Sequence, residues 1–154
     1  MRSTYHRLYY HAIFSTKHRQ PVIDATWRPL LHEYLGGVVR GLGEKSLIVG
    51  GTADHVHLLL SLRTLTAPAN LVRELKKAST AWARAYEPAF AWQQGYGIFS
   101  ASITHLEALR DYIAHQESHH RVVSFEAEFQ KLLAKHGLEY EPPYPENGTS
   151  TLAP

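Results

Sequence analysis

The chain has 154 residues, one domain by a prior of roughly 100–200 residues per domain. Apolar residues make up 44% and aromatics 11%, which supports a packed core and excludes a disordered chain. Sixteen basic against fourteen acidic residues leave a net charge of +2, so any nucleic-acid binding must use local patches, and the lack of cysteine excludes disulfides, thiol catalysis and Cys-ligated metals.

In chain order, the first predicted element is a strand from about Tyr5 to Ser15, rich in Tyr, Ile and Phe. Lys17-His18-Arg19-Gln20-Pro21 is a basic turn. A helix is expected from Asp24, an N-cap residue, with Pro29 near its first turn. Trp27, Leu30, Leu31, Tyr34, Leu35 and Val38 recur at helical spacing, and Gly41 and Gly43 end the run. Ser46–Val49 reads as a short strand stopped by Gly50-Gly51. His55–Leu62 reads as a central buried strand.

Thr66 is the expected cap of a long helix over 67–86, with Pro68 in its first turn. Gly95–Ser102 is a fourth strand. Thr104 and Glu107 form a capping box for a helix running to about His119. Ser124 caps a further helix that carries Glu126 and Glu128 in its first turn and ends at Lys135-His136-Gly137. Half of the eight prolines fall after residue 141, in what reads as a flexible tail over 139–154 behind a single domain over 1–138.

The expected architecture is α+β: a ferredoxin-like β-α-β-β-α-β core with an antiparallel sheet, helices on one face and added C-terminal helices. No segment has the 18 or more apolar residues of a membrane span and none looks like a signal peptide, so a cytoplasmic location is expected. A fold of this kind hosts many functions, so function has to be read from sites.

Three constellations carry chemistry. The first is His55-Val56-His57. Alternate strand residues face one side, which sets the two imidazoles about 6.6 Å apart at their Cα atoms. One cation could take a nitrogen from each; the alternative is a solvated pair on an edge strand. Two histidines leave a metal under-coordinated, so a further ligand must come from elsewhere. Leu59 stands where a histidine-triad hydrolase needs a third histidine, which excludes that class.

The second constellation lies on the helix after Thr104. Leu106, Leu109 and Ile113 define its buried stripe. Tyr112 falls about 90° from the stripe centre, Gln116 about 40° round from Tyr112 on the nearer side, and His105 and His119 within about 20° of Tyr112. A boundary tyrosine with a polar handle is the alternative. The third is basic: Arg73, Lys76 and Lys77 on one side of the long helix, with Lys17 and Arg19 in the first turn. These suit phosphate contacts, or simply a solvated face.

Together these residues resemble the single-tyrosine HUH transposases of small bacterial insertion sequences, of the insertion-sequence-200 type. The HUH is His55-Val56-His57 and the Tyr-x-x-x-Gln is Tyr112 to Gln116. Further likeness lies in Tyr10–Lys17, in Asp54–Leu59, in Glu74-Leu75-Lys76-Lys77 and in Phe90–Gly97, so that it spans about residues 5–140. HUH alone is weak; HUH, the tryptophan–glycine segment within Phe90–Gly97 and the Tyr-x-x-x-Gln, in this order in a short chain, are specific.

The resemblance implies that His55, His57 and Gln116 bind one Mg²⁺ or Mn²⁺, and that Tyr112 attacks the scissile phosphate of single-stranded DNA. A 5′-phosphotyrosine intermediate would follow, formed at hairpin-bearing element ends. It also implies a homodimer with active sites shared between subunits, and DNA contacts from Lys17, Arg19, Arg73, Lys76 and Lys77. Two other readings stay open. One is a domesticated tyrosine nickase associated with repetitive palindromes; the other is a non-catalytic nucleic-acid-binding ferredoxin-like domain.

Overall fold

The computed structural model describes residues 1–142. The predicted tail from residue 143 onward lies outside the described residues. The chain divides into two compact units, Met1–Val122 and a C-terminal one that begins at Val123.

The first unit is built on four strands: β1 (Leu8–Ser15), β2 (Lys45–Gly51), β3 (His55–Leu62) and β4 (Gly97–Ala101). They form one sheet in the order β2-β3-β1-β4, with every pairing antiparallel. Helices α1 (Arg28–Gly41) and α2 (Pro68–Ala83) connect them in the β-α-β-β-α-β sequence. After β4 come α3 (Leu106–Ala114) and the single-turn α4 (Gln116–His119). The predicted element order and antiparallel sheet are those observed.

Period-two alternation decides what each sheet face carries. From β3, Val56, Leu58, Leu60 and Leu62 point one way, joined by Ala12 and Phe14 of β1. Leu31, Leu35 and Val39 of α1 and Leu71, Val72 and Leu75 of α2 close over them as the core. Phe14, Phe90 and Trp92 meet edge to face, and the indole N–H of Trp92 donates to the buried Ser79 hydroxyl (2.8 Å). The opposite face carries His55, His57 and Leu59 of β3 with His11 and Ile13 of β1. There α3 packs against β2. A Cβ on Gly50 would stand 2.3 Å from the carbonyl oxygen of Ile113, so only glycine admits the helix so closely.

Several element ends differ from the sequence expectation, each for a local reason. β1 starts at Leu8 rather than Tyr5, and β4 covers only Gly97–Ala101. Asp24 opens an Asx turn, accepting from Thr26 N–H (2.8 Å), and the helix itself starts four residues later. Thr66 does not cap α2; its hydroxyl bonds the Glu44 carboxylate, which Arg63 also holds (3.0 Å). The Thr104–Glu107 capping box does not form. Ser102 caps a 3₁₀ turn over 103–105 instead, and the Thr104 hydroxyl bonds Ser102 (2.8 Å) and His105 (3.1 Å). The helix predicted to run to His119 is interrupted at His115 (φ −107°, ψ 24°).

The C-terminal unit holds α5 (Phe125–Lys135), capped as expected by Ser124, whose Oγ accepts from Ala127 N–H (3.2 Å). Phe125 stacks on Phe129, and the Tyr140 hydroxyl donates to Glu126 (3.2 Å). Among the described residues no helix is long and apolar enough to cross a membrane.

Candidate active site

The second sheet face is where polar groups concentrate. His55 and His57 are fully buried, although an apolar strand would ordinarily exclude them. Both are satisfied in the same manner, each by its Nδ1. His55 Nδ1 lies 2.7 Å from Asp54 Oδ1 and 3.1 Å from Thr52 Oγ1. His57 Nδ1 lies 2.7 Å from Nε2 of His11, a buried residue of β1. The rings of His11 and His57 stack with centroids 5.0 Å apart. Tying down Nδ1 leaves Nε2 of each ring as the nitrogen a metal ion could take, the arrangement that outer hydrogen-bond partners impose on metal-binding histidines.

Burial alone would raise the Asp54 carboxyl, but the hydrogen bond and charge of His55 outweigh it and hold the group below its ordinary value. An ionised Asp54 is the partner a ligating histidine needs on its remote nitrogen.

Helices α3 and α4 bring the second motif to this face. Ile113 is buried against the sheet, and Leu106 and Leu109 are half-buried, as the helical wheel predicts. Tyr112 is half-buried at the stripe edge. Its ring meets His57 edge-on, with centroids 5.9 Å apart, and His119 at 5.3 Å. Gln116, 1% exposed, places Oε1 2.9 Å from His55 Nε2. His120, one turn further, sets its ring 4.5 Å from that of His55.

This donor set fits a divalent cation. Two ligands at right angles, each about 2.1 Å from one ion, stand about 3.0 Å apart, so the hydrogen-bonded His55 Nε2 and Gln116 Oε1 (2.9 Å) are close enough to share one. His55, His57 and His120 each offer a nitrogen within 4.8 Å of the others. Imidazole and amide donors suit Mn²⁺ better than Mg²⁺, which prefers oxygen alone.

The predicted residues thus fall into two groups. His55, His57, Tyr112 and Gln116 come together on the second face, within one chain. His105 and His115 do not join them; both are exposed, and His115 Nδ1 turns back to the Asp111 carbonyl (2.7 Å).

Lys17, Arg19, Arg73, Lys76 and Lys77 belong to the α2 side of the molecule. Lys17 and Arg19 lie in a 3₁₀ turn whose His18 and Arg19 have left-handed φ (58° and 51°). Lys17 N–H donates to the Ala91 carbonyl (2.9 Å), which fastens the turn beside residues 91–93. Along α2, Arg73, Lys76, Lys77 and Arg84 line a groove of about 680 Å³ with Gln94 and Tyr96. Lys76 lies deepest, donating to the carbonyls of Gln93 (2.8 Å) and Gly95, with its ammonium 5.5 Å from the Phe14 ring centroid. Burial lowers its pKa to about 8.

Sequence reasoning assigned no role to His11 and nothing specific to His120. His11 had a local signal, since it alternates with Ile13 and Ser15 on one strand face. Its partner is 46 residues away, and only the strand register discloses it.

Comparison with known proteins identifies the family of the chain. A family model described as "Transposase IS200 like" matches residues 4–116, a span that includes His55, His57, Tyr112 and Gln116. Among solved structures, a protein of Deinococcus radiodurans R1 described as a transposase is similar at TM-score 0.62. It is 24% identical, over 75% of this chain and 95% of that one. A REP-associated tyrosine transposase bound to a REP hairpin is similar at TM-score 0.60 and 18% identity, over 99% of this chain and 94% of that one. No curated protein matches. With the family model covering most of its length, this chain belongs to the IS200-like transposase family.

Proposed function

We propose that the protein is a metal-dependent, cytoplasmic single-stranded DNA transposase that cleaves and rejoins DNA through Tyr112. The observation that carries this reading is the edge-on approach of the Tyr112 ring to His57, beside the His55–Gln116 pair. Mere binding of nucleic acid does not need a phenol at a buried histidine cluster.

His55, His57 and Gln116 would hold the cation, Mg²⁺ or Mn²⁺. When bound, it supplies Lewis acidity at the scissile phosphate and neutralises developing charge. Asp54 and His11 keep the two histidines in the ligating tautomer. The Tyr112 oxygen attacks phosphorus and its proton leaves to solvent. The bond from phosphorus to the 3′ oxygen breaks, and that oxygen takes a proton from solvent and departs as a hydroxyl. The 5′-phosphotyrosine conserves the bond energy, so another 3′-hydroxyl can reverse the step and join strands.

Lys17, Arg19, Arg73, Lys76 and Lys77 would contact the DNA, with hairpin ends read by backbone charge, shape and stacking. The proposed assembly is a homodimer. One chain carries all groups of one site, so exchange of α3 between subunits would swap equivalent residues.

The test is a labelled DNA hairpin incubated with protein and Mn²⁺, then run on a denaturing gel. A covalent adduct is expected, lost in Tyr112→Phe while DNA binding persists. An adduct that survives this change overturns the assignment. His57→Ala should abolish cleavage; unchanged cleavage would remove the histidine pair from the mechanism.

A second reading, a domesticated nickase acting at repetitive palindromes, draws support from the end-to-end likeness to the REP-associated enzyme. Flanking DNA separates the two. Hairpins bordering the gene in many identical copies indicate a mobile element, and dispersed palindromes without such copies indicate the domesticated form.

A further inference from the structure

We infer that His120 is a third imidazole ligand of the same cation, and that the site is therefore selective for Mn²⁺ over Mg²⁺. This rests on the reading that His55, His57 and Gln116 hold a metal.

The placement of His120 follows from the helix that ends there. Its backbone N–H donates to the Gln116 carbonyl (2.9 Å), so it sits one turn beyond Gln116 on the same face. The neighbouring His119 is rotated about 100° away and meets the Tyr112 ring instead. Two successive histidines thus reach two different groups of one site.

The rings are disposed for a shared ion. His120 meets His55 at 67° and His57 meets His55 at 72°, so neither pair is stacked. An imidazole lone pair lies in the ring plane, and rings inclined in this way can aim lone pairs at one point. One nitrogen from each of the three lies within 4.8 Å of the others. Ligands about 2.1 Å from one ion are about 3.0–4.2 Å apart. Closing the trio onto a cation therefore needs a contraction of at most about 0.6–1.8 Å per pair, within reach of side-chain torsions.

Selectivity follows from the donors. Three imidazole nitrogens and one amide oxygen are a poor set for Mg²⁺, which demands oxygen and retains its water. Mn²⁺ is the weakest binder of the first-row transition metals and is at home among oxygen donors, yet it takes imidazole nitrogen more readily than Mg²⁺ does.

The experiment uses the full-length chain titrated with MnCl₂. Free Mn²⁺ is followed by electron paramagnetic resonance, and coordinated nitrogens are counted by pulsed methods on the bound ion. Wild type should show three histidine nitrogens. His120→Ala should show two and bind Mn²⁺ about tenfold more weakly or worse. Mg²⁺ should displace Mn²⁺ from His120→Ala at a lower excess than from wild type. His115→Ala, an exposed position, should match wild type.

Two nitrogens in wild type, or unchanged affinity in His120→Ala, would overturn the inference. If His57→Ala abolishes binding while His120→Ala leaves it unchanged, the His120 assignment alone falls. If His57→Ala also binds normally, the metal reading itself falls. Should His120→Ala fail to fold, the nitrogen count in wild type decides the matter.

Discussion

His11 Nε2 lies 2.7 Å from His57 Nδ1, and the two buried rings stack across adjacent strands. The contact fixes chemistry as well as position. If His57 Nε2 holds the proposed cation it must be unprotonated, so a neutral His57 would carry its proton on Nδ1 and donate it to His11. His11 must then keep its own proton on Nδ1. An imidazole here fills the role that the Asp54 carboxylate fills for His55.

Replacing this acceptor should loosen the site without unfolding the sheet. His11→Phe keeps ring volume and apolar packing beside Phe99 but removes the acceptor. Mn²⁺ affinity, measured by calorimetry, should fall about 10–100-fold. Equal affinity in the variant would mean that His57 holds its tautomer unaided.

Gly50 controls where α3 sits. The Cβ of Gly50→Ala would meet Ile113 Cγ2 at 2.8 Å as well as the Ile113 backbone, and backbone cannot rotate away. The helix must move off β2, carrying Tyr112 and Gln116 with it. A loss of about 1–3 kcal/mol in urea unfolding is expected, together with a sharp drop in covalent adduct. Normal adduct formation would show that α3 need not lie this close.

Lys76 links DNA binding to pH. Burial sets its pKa at about 8, so its ammonium is present below that value and lost above it. Hairpin affinity should therefore weaken between pH 7 and 9 at constant ionic strength. In Lys76→Met the affinity should already be low at pH 7 and change little over this range. A pH dependence that persists in the variant would assign the effect to another group.

His32 gives the fold an acid sensitivity. Burial, and then the charge of Arg28, lower its pKa to about 4 from an ordinary 6.5. The unfolded chain binds a proton below about pH 6.5 and the folded chain does not until about pH 4. Stability should thus fall as pH drops through this window, by on the order of 3 kcal/mol at its end. His32→Leu should reduce that loss, measured as unfolding free energy at pH 7 and pH 4.5. Parallel curves for the two proteins would argue that His32 is protonated in the fold.

How much could be read in advance depended on the range of the interaction. The apolar run around His55 and His57 placed a central strand, because alternation needs only neighbours along the chain. The Tyr112–Gln116 face and the Ile113 stripe likewise came from helical spacing. Caps were less legible. Thr66 and Thr104 have the right residue type in the right place, yet each hydroxyl finds another partner, Glu44 in one case and Ser102 and His105 in the other. A cap is a competition among local acceptors, and sequence does not rank them.

By itself the sequence determined the order of elements, the shared direction of His55 and His57, and the four-residue interval that puts Tyr112 and Gln116 on neighbouring faces. These follow from periods of two and about 3.6, which the backbone imposes on any chain. Only the tertiary structure decided that α3 lies on the sheet face opposite α1 and α2, that His11 completes His57, and that His120 reaches His55. Each depends on strand register and helix docking. Those are fixed by packing between residues far apart in the chain, where a single glycine at position 50 sets the distance.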